Sequence, residues 1–205
     1  MPEQRPVFHV MATGWEHPAW AGEFYPEDLP AAWRLTYYAN EFPGVLLSQP
    51  DWRSLEPASL SAWADDVSGS FRFYLELISP LEPQEGAHLA RCLGGNFGGF
   101  VVASAKIRQI AGQWGKQQSD WGIYTCYPVS GAGLAMGEPP LDESRLACRI
   151  ASADLADLKS QRRLLERLAS QVTGRAEVLL FLEGTPPGIE KIRNLRVLAQ
   201  LLGIA

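Results

Sequence analysis

Residues 7–30, VFHVMATGWEHPAWAGEFYPEDLP, decide how the rest of the chain is read. They open as an apolar run of strand length, Val7 to Ala12, and then break into a loop that holds Trp15, Trp20, Phe24 and Tyr25 among three prolines. A strand that ends in such a loop and hands over to a helix beginning at Pro30 is the first step of a strand–loop–helix repeat.

The repeat continues. Strand-length apolar runs recur at 45–48 (VLLS), 71–78 (FRFYLELI), 100–104 (FVVAS), 123–127 (IYTCY), 146–151 (LACRIA) and 178–182 (VLLFL). Helical segments separate several of them. AAWRLTYYANEF follows Pro30 and must stop before Pro43-Gly44, and ASLSAWADDV follows Pro57 and stops near Gly69. Between Asp154 and Val172 apolar residues recur at Leu155, Leu158, Leu165, Leu168 and Val172, with Gly174 past the end. A closing helix begins near Pro186-Pro187 and places Ile189, Ile192, Leu195, Leu198 and Leu202 on one stripe. Near-continuous apolar strands joined by helices predict a parallel sheet covered by helices, either open and doubly wound or closed as a barrel. The Gly- and Pro-rich stretch 129–144, VSGAGLAMGEPPLDES, has no helical period and marks a place where a repeat is lost or shortened.

Composition narrows the class. With 205 residues, 46% of them hydrophobic and 20% charged, the chain suits one domain with a core of its own, 1–205. No apolar run approaches the ~20 residues of a bilayer span, and MPEQRPVFHV has no basic-then-apolar leader. Cys92, Cys126 and Cys148 are odd in number and far apart, which suits a reducing, cytoplasmic setting. A net charge of −5 argues against a nucleic-acid partner, since phosphate neutralisation needs a basic face. No membrane association is expected, and composition says nothing of oligomeric state.

ATGW at 12–15, followed by Pro18, Trp20, Gly22 and Phe24-Tyr25-Pro26, resembles the N-terminal signature of the domain of unknown function 72, the YecE-like family. The similarity runs on through Leu35, Tyr38 and Phe42, VLLSQPDW at 45–52 and WADDVSGSFRFYLEL at 63–77. It returns in FLEGTPPGIEKIRNLRVLAQLLG at 181–203, with Asn194 in place. The resemblance implies a TIM-like (β/α) barrel, here reduced or irregular with about seven strands, in a divergent and shortened member. It implies no settled activity. Leu46 and Ser48 stand where the family has glutamate and asparagine, Glu76 stands at its lysine position, and Leu182-Glu183 replaces its Asn-Asn pair.

In such a barrel the functional face lies at the strand C-terminal ends. The residues expected there are Thr13, Trp15, Trp20, Phe24 and Tyr25 after the first strand, Ser48, Gln49, Asp51 and Trp52 after the second, and Glu76, Lys106 and Glu183 on later ones. The aromatic loop reads in two ways: as the wall of a small-molecule pocket, or as a cap over the core. Glu76 and Glu183 could share acid–base work as a hydrolase or isomerase, with Asp51 and Lys106, or Glu76 could simply pair with Lys106. A third reading is a protein–protein interaction module with exposed aromatics.

Other motifs exclude more than they suggest. His9, His17 and His88 have no local metal-ligand spacing, so no metal is expected, and no cofactor is indicated. No G-x-S-x-G elbow surrounds Ser130. GGNFGG at 94–99 precedes a strand and reads as the turn entering it. GAGLAMG at 131–137 reads as a flexible loop or an anion nest, and misses the dinucleotide fingerprint by one residue.

Overall fold

A computed structural model of the chain describes residues 5–102, 121–130, 133–134, 145–172 and 177–205. The chain divides into two compact units, one of residues 13–125 and one of residues 1–12 and 126–205, here the inner and the terminal unit.

The inner unit begins with the aromatic loop, which carries short 3-10 turns at Pro18–Trp20 and Ala31–Trp33. The first helix, α1, spans Arg34–Glu41, and β2 spans Gly44–Leu47. Then come α2 (Gln49–Arg53), α3 (Pro57–Asp65), β3 (Arg72–Leu77), α4 (Pro83–Leu93), β4 (Phe97–Val102) and the start of β5 (Ile123–Ser130). Pro57 and Pro83 stand at the first helical positions, where a missing N–H is harmless and the fixed φ suits a helix. β2 pairs with β3, β3 with β4 and β4 with β5, all parallel. Every residue of β2 is buried, as a strand covered on both faces must be.

Two features of this unit were not legible as elements. Gln49 to Trp52, expected as a strand end, is the helix α2, capped by Ser48. The helix α4 was missed because its buried stripe is Gly86, Leu89 and Leu93, and a glycine does not register as apolar. Its glycine has a packing reason, since a Cβ there would stand 3.1 Å from the ring of Trp121. GGNFGG is likewise more than a turn. The strand begins at Phe97, and the register slips between Phe73↔Phe97 and Tyr74↔Gly99, so Gly98 is the extra residue of a bulge lying under the Tyr74 ring.

The terminal unit contains β1 (Val7–Thr13, whose last residue belongs to the inner unit), the end of β5, the two-residue β6 (Gly133–Leu134), β7 (Arg145–Ala151), α5 (Leu158–Gln171), β8 (Glu177–Glu183) and α6 (Ile189–Leu201). β8 is central, pairing parallel with β1 on one side and β7 on the other. β6 turns back antiparallel on β5, through Val129↔Leu134 and Ser130↔Gly133. The rest of the expected irregular stretch 129–144 lies largely outside the described residues. Helix α5 opens with a capping box in which Asp157 accepts from the Ser160 N–H at 2.7 Å and the Asp157 N–H donates to Ser160 Oγ at 3.1 Å. Leu165 and Leu168 face inward from it, as do Ile189, Ile192 and Leu195 from α6, while Leu198 and Leu202 are half-buried. The C-terminus closes on the first strand, with the Phe8 N–H donating to the Ile204 carbonyl at 2.7 Å.

Candidate functional site

The aromatic residues of the opening loop are core. Trp15, Trp20, Phe24 and Tyr25 are all buried, and Trp20 has no exposed surface at all. Trp20 meets Phe24 and Tyr25 edge-on and stacks on Tyr38 of α1, with Tyr38 in turn against Phe42. Trp15 runs edge-on into Trp63 of α3 at 4.6 Å and reaches Phe73 of β3. Each ring finds an apolar face or an edge to complete, which is why so many can share one loop. The polar handle is satisfied too: the Tyr25 hydroxyl donates to the Trp15 carbonyl. Burial holds the Tyr25 hydroxyl far above its usual pKa, so it stays protonated.

This packed layer fixes the polar end of the unit. The Gly14 N–H donates to the Leu46 carbonyl at 2.9 Å, tying the start of the loop to β2. Beyond the end of β2, the Ser48 hydroxyl donates to Asp51 Oδ2 at 2.5 Å, and the Asp51 N–H points back at Ser48 Oγ. The Trp52 indole N–H donates to the Glu76 carbonyl at 3.0 Å, and Gln49 Oε1 accepts from both the Ile78 and Ser79 N–H groups at 2.7 and 2.9 Å. Thr13, Ser48 and Glu76 lie at or near the C-terminal ends of β1, β2 and β3, and Gln49, Asp51 and Trp52 lie on α2 just past β2. Glu76 is buried on β3, in register with Val101.

A residue that spacing did not single out joins them. His17 is half-buried, lies edge-on to Trp20 at 4.4 Å, and its Nε2 is 2.9 Å from the Thr13 carbonyl. A carbonyl can only accept, so Nε2 carries the proton and Nδ1 is the basic nitrogen of the neutral ring. Burial lowers the His17 pKa below its usual value, against the opposing pull of the Thr13 and Gly14 backbone and the Asp51 carboxylate. His17 and Asp51 are 34 positions apart, and only the return of the chain through β2 brings them within reach of each other's charge. Thr13 Oγ1 and Gln49 Nε2 are buried without a hydrogen-bond partner among the described residues.

The other expected residues lie elsewhere. Glu183 belongs to the terminal unit, at the end of β8, where it accepts a hydrogen bond from Arg149 of β7 and forms an ion pair with it. Lys106 lies outside the described residues, and so does its proposed pairing with Glu76. Cys126 and Cys148 are buried and free, and burial pushes the Cys148 thiol up to about 12, which makes it inert as a thiolate. Among the described residues, no group of three or more His, Cys, Asp or Glu side chains is placed to hold a metal ion. No helix among them is long and apolar enough to cross a membrane.

Parallel strands alternating with helices, with polar groups collected past the strand C-terminal ends, define the class: an α/β protein of the TIM-like (β/α) barrel fold. The family model for DUF72, a protein of unknown function, matches residues 9–81, the part of the chain that carries the N-terminal resemblance. The matched stretch spans the aromatic loop and the end of β3, and it omits the C-terminal similarity at 181–203. Among solved structures, the chain is similar to a DUF72 family protein from Enterococcus faecalis, with a TM-score of 0.59 at 10% identity over 95% of this chain and 96% of that one. It is similar to another from Thermotoga maritima, with a TM-score of 0.55 at 12% identity over 95% and 99%. A putative 2-pyrone-4,6-dicarboxylic acid hydrolase from Pseudomonas putida gives 0.50 at 15% identity, over 100% and 92%. At these identities the likeness shows the fold and no more. No curated protein matches the chain.

Proposed function

We propose that the chain binds a small polar molecule at the strand C-terminal end of its inner unit, with His17, Ser48 and Asp51 as the contacting groups. The observation that carries this reading is that Thr13 Oγ1, at the end of β1, and Gln49 Nε2, on the residue after Ser48, are buried with no hydrogen-bond partner among the described residues. A buried donor without an acceptor costs about 1–3 kcal/mol, and a bound polar ligand is one way such a cost is relieved. On this reading the aromatic layer holds the site rigid from behind: Trp20, Phe24 and Tyr25 pack on one another, Trp15 packs on Trp63 and Phe73, and the buried Trp52 is fixed by its bond to the Glu76 carbonyl.

A thermal-shift screen with sugars, nucleosides, amino acids and organic acids tests the proposal. Hits on the wild type are expected to lose their shift in His17→Ala and Asp51→Asn, variants at half-buried and exposed positions that leave the aromatic layer intact. Hits that stabilise both variants as well as the wild type, or a panel with no hit, would count against the site.

A second reading is acid–base catalysis at the same place. It is favoured by His17, whose pKa is lowered by burial, so that the neutral imidazole has the form of a general base. Incubating each hit with the protein and following it by mass spectrometry separates the two readings: an unchanged hit leaves binding, and a product makes the site catalytic.

A further inference from the structure

The terminal unit holds a cavity of about 140 Å³ between α5 and the ends of β5 and β7. Its apolar side is Val129, Ile150, Leu155 and Leu164, and its charged side is Asp154, Arg163 and Arg167. The volume is well below the ~300 Å³ at which sites for drug-sized ligands begin, so it suits a molecule of only a few carbons.

The charges are what set this cavity apart from an ordinary helix surface. Three other arginines of the terminal unit are matched to carboxylates: Arg162 to Glu166 one turn along α5, Arg193 to Glu190 on α6, and Arg149 to Glu183. Arg163 and Arg167 lie one turn apart on the cavity face of α5, and neither forms an ion pair among the described residues. Asp154, which lines the same cavity, has no ion-pair partner among them either. The neighbouring Asp157 and Ser160 are already spent on the capping box, although the Arg163 charge is felt at Asp157. Two guanidinium groups that present fixed N–H forks, a carboxylate and an apolar floor lining one cavity together match a molecule with a carboxylate, an ammonium group and a short hydrocarbon chain.

We propose that the Arg163–Arg167–Asp154 cavity binds a small apolar α-amino acid. Its carboxylate lies against the two arginines, its ammonium against Asp154, and its side chain on Val129, Ile150 and Leu155. The site is separate from the one at His17 and stands or falls without it.

Isothermal titration calorimetry on the full chain at neutral pH tests this with three probes of one skeleton: L-leucine, 4-methylpentanoate, which lacks the ammonium, and 3-methylbutylamine, which lacks the carboxylate. Leucine is expected to bind, the acid to bind more weakly, and the amine not to bind. Replacing both arginines, Arg163→Gln with Arg167→Gln, is expected to weaken leucine binding by roughly tenfold or more, as loss of a charge-assisted hydrogen bond does. Asp154→Asn is expected to abolish the preference for leucine over the acid. All three positions are exposed, and circular dichroism confirms that the variants fold. Failure of leucine to bind the wild type, unchanged affinity in the double variant, or tighter binding of the acid than of leucine would each overturn the proposal.

Discussion

The hydroxyl of Tyr25 donates to the main-chain carbonyl of Trp15 at 2.7 Å, and both residues are buried. This one bond closes the loop on itself across ten residues and holds the Trp15 ring against Trp63.

Tyr25→Phe keeps the ring and leaves the Trp15 carbonyl without its donor. The expected loss is about 1–2 kcal/mol, the usual cost of an orphaned buried acceptor. In a chain of this size that lowers Tm by roughly 2–8 °C, and differential scanning calorimetry reads it directly. A Tm equal to the wild type would show that water reaches the carbonyl and that the loop is less closed than its rings suggest.

Gly99 and Gly95 are separated by four positions and answer differently to the same substitution. At Gly99 φ is +130°, and a Cβ would stand 2.3 Å from the Gly122 carbonyl oxygen, main chain that cannot swing away. At Gly95 nothing lies within 4 Å of the added methyl. Gly99→Ala is therefore expected to unfold the chain or to lower its stability by more than about 3 kcal/mol, whereas Gly95→Ala stays within about 1 kcal/mol of the wild type in urea unfolding. Equal stability of the two variants would mean that the β4–β5 contact at Gly122 is not held as described.

His17 links the site to pH. Its folded pKa lies below the unfolded value near 6.5, so between the two the unfolded chain binds the extra proton. The His17 contribution is fully present above pH 6.5 and is lost as pH falls through 6.5 toward the folded pKa. Compared with His17→Gln, the wild type is expected to lose more unfolding free energy between pH 7.5 and pH 5. A difference that is flat with pH, or that grows in favour of the wild type on acidification, would show that the backbone carbonyls outweigh burial.

What could be read from the residues alone follows from how local each signal is. Pro30 and Pro57 announced α1 and α3, and apolar runs placed seven strands within a few residues, because proline geometry and strand hydrophobicity act over neighbours. Gly86 hid α4, since its role is to make room for Trp121, 35 residues away. His17 gave no signal because its partners are a backbone carbonyl and a carboxylate met only after the chain has returned through β2. The four rings of the opening loop were legible as important but ambiguous between wall and core, and only their contacts with Tyr38, Trp63 and Phe73 place them in the core. Composition cannot distinguish a buried ring from one that lines a pocket.

Gln49 makes the sharpest separation between holding the fold and holding a ligand. Its Oε1 is the shared acceptor for the Ile78 and Ser79 N–H groups just past β3, and its Nε2 is buried with no partner. Gln49→Ala orphans both N–H groups and is expected to cost about 2–4 kcal/mol, with the 78–79 turn exchanging its amide hydrogens faster. Gln49→Glu keeps an acceptor for both donors and removes the unpartnered amide N–H, while bringing in a carboxyl group whose charge the two N–H donors would meet. If Nε2 serves a ligand, the glutamate variant stays closer to the wild type in stability than the alanine variant, yet loses the thermal shift given by hits of the wild type. If it retains those shifts in full, the buried amide has no part in binding, and Gln49 is a clamp on the β3 turn alone.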